Sequence, residues 1–204
     1  MKRNTRRAAA LAAALAGMQL LSGCAPLLVG GAVLGGTLMV TDRRTSGTQI
    51  EDQAIEFKSM NRVRDAIGDR GHVAAVSYNR VVLLTGEVAS EADKAAAEQA
   101  VQRVDNVRSI VNELEIMGPT SLTARSNDAI LTSKVKATFV DAKDVFANAF
   151  KVHTERGIVY LMGRVTEREA TRASELARTV SGVQKVVRVF EVISEEELAD
   201  MSRR

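Results

Sequence analysis

The sequence predicts an α+β protein made of two tandem copies of one small module, each ordered helix, strand, strand, helix, strand, with two helices packed on one face of a three-stranded sheet. Three observations carry this expectation. The apolar run Val81-Val82-Leu83-Leu84-Thr85-Gly86-Glu87-Val88 recurs 77 residues on as Ile158-Val159-Tyr160-Leu161-Met162-Gly163-Arg164-Val165. Val104-Asp105-Asn106-Val107 recurs as Val180-Ser181-Gly182-Val183 at a spacing of 76, and Asp52 with Asp128 and Ile55 with Leu131 keep that same spacing. Self-similarity at a fixed period marks one structural unit used twice. Third, each copy switches between extended and helical patterning at recognisable turn and cap residues.

Each module opens with a helical stretch, Asp52 to Ile67 or Asn127 to Val140, followed by a short strand around His72 to Ser77 or Phe150 to Thr154. The turns Tyr78-Asn79-Arg80 and Glu155-Arg156-Gly157 reverse the chain into the apolar strand that carries Gly86 or Gly163. Ser90-x-x-Asp93 and Thr166-x-x-Glu169 then read as capping boxes, in which a hydroxyl accepts from a free helix N–H while the carboxylate reaches back. They open helices ending near Arg103 and Thr179, ahead of the last strands Val107 to Ile116 and Val183 to Ile193. The modules are placed at 50–117 and 125–193, with Gly118-Pro119-Thr120 as the junction and an acidic tail, 194–204, as a frayed end. Domains this small are marginal alone, so contact between the modules is expected.

Ahead of the modules, residues 1–23 have the three parts of an export signal: Lys2, Arg3, Arg6 and Arg7, then the apolar run Ala8 to Leu21, then Ser22 and Gly23. The sequence Leu21-Ser22-Gly23-Cys24 resembles the bacterial lipobox, and the chain's single cysteine falls at its acceptor position. The expected product carries a diacylglyceryl thioether and an amide-linked acyl chain on Cys24. Each buried CH₂ contributes about 0.8 kcal/mol, so such an anchor holds far more firmly than one myristoyl group. Residues 24–49 read as a lipidated tether. Within it, the Gly-rich apolar stretch Pro26 to Val40 is short for a spanning helix and fits a flexible tether, a segment lying in the lipid surface, or packing material. Ala25, where a retention signal such as Asp would keep many lipoproteins in the inner membrane, favours the outer membrane.

Composition narrows the function. With 46% apolar and 26% charged side chains the chain is neither disordered nor polytopic. One Cys, two His and no Trp leave little for a disulfide framework, a zinc site or a base-stacking platform, and no cofactor is expected beyond the lipid on Cys24. Loss of the signal removes four of the 28 basic residues, leaving 24 against 25 acidic ones, so the basic charge belongs largely to the address label. Nucleic acid is therefore not an expected partner.

The strand Gly followed by Val, the helix after it and Val-x-x-Val entering the last strand resemble the BON domain. The lipobox, Asp42-Arg43-Arg44-Thr45-Ser46-Gly47-Thr48-Gln49, Ser126-Asn127-Asp128, and Leu161-Met162-Gly163-Arg164-Val165-Thr166-Glu167-Arg168-Glu169-Ala170 together resemble the dual BON-domain outer-membrane lipoproteins. That resemblance implies an outer-membrane lipoprotein facing the periplasm, needed for envelope integrity. It also implies that the second module binds anionic phospholipid through its first helix, and proximity to the barrel-assembly machinery and to division proteins. Family members can carry an aromatic where Ile130 stands, a departure expected to lower affinity or alter lipid preference.

The residues offer their own support. Residues 50–117 hold 8 basic and 12 acidic side chains, whereas 125–193 hold 12 basic and 8 acidic, so only the second module is drawn to an anionic bilayer. On the helix from Asn127, steps of about 100° put Leu131, Val135, Thr138 and Phe139 on the core stripe. The opposite face presents Ile130, Ser133, Ala137 and Val140 flanked by Lys134 and Lys136, a modest apolar wedge edged by cations. Covering the other module or sealing the helix ends is the competing role for Ile130 and Val140. In the first module the outward face offers Lys58, Asn61, Arg62 and Asp65 and reads as solvated. His72 and His153 fall on the early strands at roughly corresponding places, where a shared metal or acid–base site competes with a plain edge or half-buried strand role; no carboxylate, Cys or second His lies at ligand spacing. Gly86 and Gly163 read as a bulge or a close backbone approach. With no catalytic constellation in the sequence, a lipid-reading surface is expected rather than an enzyme, and a protein-interaction adaptor for barrel assembly or division is the alternative.

Overall fold

A computed structural model describes residues 42–203; the signal, Cys24 and the stretch 26–40 lie outside them. The first domain runs α1 (Ser46–Ile67), β1 (Gly71–Tyr78), β2 (Val81–Val88), α2 (Glu91–Gln102), β3 (Ser109–Asn112) and β4 (Glu115–Ile116). The second runs α3 (Leu122–Asp141), a 3₁₀ turn (Ala147–Ala149), β5 (Lys151–Glu155), β6 (Ile158–Val165), α4 (Glu167–Thr179) and β7 (Lys185–Val192), and the chain closes with α5 (Glu195–Ser202). In each domain the middle strand pairs antiparallel with the strand before it and parallel with the strand after it.

Local chemistry sets these elements. Thr45 caps α1 by accepting from Thr48 N at 3.1 Å, so the helix begins at Ser46, inside the stretch expected to be tether. β1 and β2 are joined through Asn79 and Arg80, both at positive φ (50° and 67°), the conformation a tight two-residue hairpin requires. The capping box forms in full only at α4, where Thr166 and Glu169 exchange side-chain-to-backbone bonds at 3.0 and 3.4 Å. At α2, Ser90 caps Asp93 N, but Asp93, one methylene shorter than Glu, takes the Ser90 hydroxyl and Arg70 instead. The strand expected over Val107 to Ile116 is broken: Leu114 is buried in the core between β3 and β4. The acidic tail is a helix, capped by Ser194 and carrying Glu195, Glu196 and Glu197 in its first turn, where the helix dipole favours them.

Period-two alternation on the middle strands sorts the cores. Val82, Leu84 and Val88 face the first domain's helices, meeting Ile55, Ala97 and Val101. Val159, Leu161 and Val165 do the same in the second domain, against Val135, Phe139, Ala173 and Ala177. The alternate residues Leu83, Tyr160 and Met162, with Tyr78, form a third buried cluster in which the two sheets meet. The order of layers is therefore helices, sheet, sheet, helices. Burying both faces of a sheet is what lets β2 and β6 be apolar at consecutive positions, over Val81 to Leu84 and Ile158 to Met162.

Polar contacts set the joint's register. Arg43 donates two bonds of 2.7 Å to the Glu169 carboxylate and one to the Arg164 carbonyl, while Arg44 reaches Asp52 at 2.8 Å and lies 4.2 Å from the Tyr78 ring centre. Asp42-Arg43-Arg44 is thus a strap holding both domains. Along β5, Lys151 reaches Glu56 and the Ser77 carbonyl, His153 Nε2 lies 2.8 Å from Thr85 Oγ1, and Glu155 meets the field of Glu87.

This joint carries a pH signature. Burial, aided by the Lys151 ammonium, holds His153 down at about 4, against 6.5 in an ordinary chain. Burial, with the Glu87 and Asp128 carboxylates, pushes Glu155 up to about 7 from 4.5. As pH falls from 6.5 to 4 the unfolded chain binds a proton on His153 that the folded chain refuses, so stability is lost across that window. As pH rises from 4.5 to 7 the unfolded chain releases a Glu155 proton that the folded chain still holds, and stability is lost in that direction. The two trends oppose one another, so single replacements should expose them. Glu155→Gln is expected to gain about 2 kcal/mol over the parent near pH 8, and His153→Gln to lose the acid-side decline. Urea unfolding at about pH 5 and about pH 8 checks both, and unchanged profiles would contradict the assignment.

Candidate functional site: the outer face of α3

Ser121 caps α3 by accepting from Ala124 N at 3.2 Å, which starts the helix five residues before Asn127. Leu131, Val135 and Phe139 are buried on its inner side, and Thr138, placed by sequence on the same stripe, is half-buried and donates to the Lys134 carbonyl. Every residue placed on the outer face is exposed: Ile130, Ser133, Lys134, Lys136, Ala137 and Val140. The large apolar members are well outside the core, Ile130 at 55% and Val140 at 71%. Leu122, at 79%, extends the same stripe, since 18 residues at about 100° each bring it into line with Val140. The sequence reading missed Leu122 because it began the helix at Asn127, although Ser121 ahead of a helical run is a cap signal.

The polar members of this face are already satisfied. Ser126 Oγ donates to the Leu122 carbonyl and Ser133 Oγ to the Ala129 carbonyl, each at 3.0 Å. A hydroxyl with its donor engaged costs less to take from water, so these serines do not oppose shallow burial of the face. Lys134 and Lys136, on the two edges of the stripe, have no ion pair with any described residue. What remains is an apolar ridge with free cations on its flanks.

The first domain does not offer a merely solvated counterpart. Its α1 exposes Ile50 at 68%, Phe57 at 70% and Met60 at 44% beside Lys58, Arg62 and Arg64. The helix expected from Asp52 excludes Ile50, and the outward face of Lys58, Asn61, Arg62 and Asp65 excludes Phe57, one i to i+7 step from Ile50.

The histidines stand apart from this face. His153 is engaged with Thr85 between the sheets, and His72 Nδ1 lies 4.0 Å from Glu87, its pKa lowered first by burial and then by Arg125. Among the described residues no three His, Cys, Asp or Glu side chains are grouped to hold a metal ion, and no helix is long and apolar enough to cross a membrane.

The repeated unit, two helices on a mixed three-stranded sheet whose middle strand carries a glycine ahead of a capped helix, defines a tandem α+β module. The BON-domain profile matches residues 51–118 and 127–194, and the chain belongs to the BON-domain family. It is 41% identical over 176 residues to the outer membrane lipoprotein DolP of Haemophilus influenzae, covering 85% of this chain and 90% of that one. It is 30% identical to the 21 kDa hemolysin of Actinobacillus pleuropneumoniae, over 74% of this chain and 79% of the other. It is also 28% identical to osmotically-inducible protein Y of Escherichia coli, over 69% and 72%.

Proposed function

We propose that the protein is a non-enzymatic envelope lipoprotein, anchored through lipid on Cys24 to the outer membrane's periplasmic leaflet, whose α3 reads anionic phospholipid and so supports envelope integrity. The likeness to an outer membrane lipoprotein over 85% of the chain supports the location. The observation that carries the lipid reading is the exposed ridge of Leu122, Ile130, Ala137 and Val140 between two unpaired lysines, on a domain with 12 basic and 8 acidic side chains. Each Lys near an anionic surface contributes about 1 kcal/mol, and shallow insertion of aliphatic side chains adds the apolar part. Serving as an adaptor for barrel assembly or division is the second reading. It is favoured by Ile50 and Phe57, exposed on the helix layer opposite α3.

Co-sedimentation of the chain from Asp42 onward with neutral and anionic vesicles tests the first reading. Binding should require anionic lipid, weaken as salt rises, and fall about tenfold or more in Ile130→Asp and in Lys134→Glu/Lys136→Glu. Equal binding to neutral and anionic vesicles, or parent-like binding by both variants, would overturn it.

A further inference from the structure

A cavity of about 690 Å³ opens where the first domain meets the linker and the start of α3. His72 at the start of β1, Glu87 near the end of β2 and Arg125 on the first turn of α3 supply its polar lining, and Ile116, Met117 and Pro119 its apolar wall.

Two charges in this cavity stand without a counter-ion. Glu87 is 1% exposed, and among the described residues its carboxylate accepts only from Thr120, whose N–H lies 3.3 Å from one oxygen and whose hydroxyl donates to the other. The one basic group within 4.0 Å of it is the His72 ring. Burial, and then the Arg125 guanidinium, hold that ring below 6.5 against the pull of Glu87, so it is uncharged at neutral pH. Arg125 is half-buried, makes no ion pair with any described residue, and has its Nε buried without a hydrogen-bond partner. His72 Nδ1 is also buried and unpartnered. Both charges act on the same imidazole, which gathers an unpaired anion, an unpaired cation and an unsatisfied ring nitrogen in one place. Buried charges and polar atoms without partners are costly, and a ligand carrying the complementary groups relieves that cost.

The internal repeat shows why the space is open. Gly118-Pro119-Thr120 stands 76 residues after Asp42-Arg43-Arg44, and Arg164 stands 77 after Glu87. In the second domain Arg43 fills the corresponding end of the sheet by donating to the Arg164 carbonyl and to Glu169. In the first domain the place of Arg43 is taken by Pro119, which has no side-chain donor to reach across. The counterpart of Glu169, Asp93, is held by Arg70 at 2.8 Å, but nothing basic is supplied to Glu87.

We propose that this cavity binds a small apolar zwitterion, a free amino acid or a short peptide, with its ammonium on Glu87, its carboxylate on Arg125 and its side chain against Ile116, Met117 and Pro119. A simple anion would leave Glu87 unpaired and a simple cation would leave Arg125 so; only a molecule bearing both charges answers both residues. His72 Nδ1 gives the ligand a further polar contact. Because Glu87 belongs to the first domain and Arg125 to the second, the bound molecule also ties the two together.

The test is an amide-shift titration of the chain from Asp42 onward, which holds both domains, with leucine and leucyl-leucine and with the N-acetylated and C-amidated form of each. Leucine or leucyl-leucine should move the His72, Glu87 and Arg125 amides saturably, and the tighter of the two assigns the site to amino acids or to peptides. Its N-acetylated form, without the ammonium, and its amidated form, without the carboxylate, should each bind about tenfold or more weakly. Glu87→Gln, which keeps an acceptor for Thr120, should weaken the unblocked probe about tenfold and leave the N-acetylated one unchanged. Arg125→Gln should weaken the unblocked probe similarly and leave the amidated one unchanged. A residue with only a structural role would weaken every probe alike. Absence of saturable shifts at these residues from both unblocked probes would overturn the site, as would blocked probes that bind as tightly as the unblocked ones, or variants that weaken all probes equally.

Discussion

Asp52→Ala is expected to lower the stability of the first domain by about 3–5 kcal/mol, because it strips a buried hub of its acceptor. The carboxylate is 1% exposed and accepts from Asn79 N, Arg80 N, Ser77 Oγ and Arg44, all between 2.7 and 2.8 Å. Burial alone would raise its pKa; the Arg80 N–H, the Ser77 hydroxyl, Arg44 and the Asn79 N–H outweigh that and hold it below 3.8. Its stabilising effect is therefore present at neutral pH and is lost as pH falls through that depressed value. Truncation also releases Arg44 from one of its two carboxylates and removes the buried tie between α1 and a hairpin built on two left-handed non-glycine residues, leaving the more exposed Arg80–Glu51 and Ser77–Glu56 contacts. Asp128→Ala should cost less, since Asp128 holds only the Arg156 and Gly157 N–H groups. Urea unfolding of the two variants at neutral pH checks the order. An Asp52→Ala midpoint no lower than that of Asp128→Ala would contradict it.

Gly86→Ala should be of similar severity for a different reason. Gly86 sits at φ 111°, and a Cβ there would stand 2.0 Å from the His72 carbonyl oxygen across the β1–β2 ladder. Both the backbone conformation and the neighbour forbid the methyl, so pairing around Val73 must open, with an expected loss of about 3 kcal/mol or more. Gly163, its partner in the repeat, is at ordinary φ, and a Cβ there would meet the Ala149 carbonyl oxygen at 2.5 Å. That oxygen belongs to a short 3₁₀ turn, which can shift more easily than a paired strand, so Gly163→Ala is expected to be the milder change. Thermal unfolding compares them; a Gly86→Ala variant within about 0.5 kcal/mol of the parent would contradict the close approach.

Much of this architecture could be read from the chain because it is written twice. The 76–77-residue spacing aligned the strands, turns and capped helices, and a capping hydroxyl acts over three residues, within reach of sequence reasoning. Expectations fell short where the decisive partner was distant. Arg43 meets Glu169 from 126 residues away, and nothing local in Asp42-Arg43-Arg44 announces a strap between domains. The sheet-to-sheet joint left one trace, since Val81 to Leu84 and Ile158 to Met162 are apolar at consecutive positions, as strands covered on both faces are. The helix limits at Ser46 and Leu122 were set too late because Thr45 and Ser121 lie in polar, turn-like stretches, and those few residues hid Ile50 and Leu122.

The most direct test of α3 as the membrane-facing surface is a depth measurement. A nitroxide is placed at Val140→Cys, and at Asn61→Cys on α1 in the opposite helix layer, in the chain from Asp42 onward, which lacks the single native cysteine. With phosphatidylglycerol vesicles, the probe at 140 should lose access to a water-soluble nickel chelate and gain access to membrane-dissolved oxygen, while the probe at 61 stays aqueous. If the probe at 140 remains as accessible to the chelate as in vesicle-free solution under conditions where the chain is bound, α3 is not the face that meets the lipid.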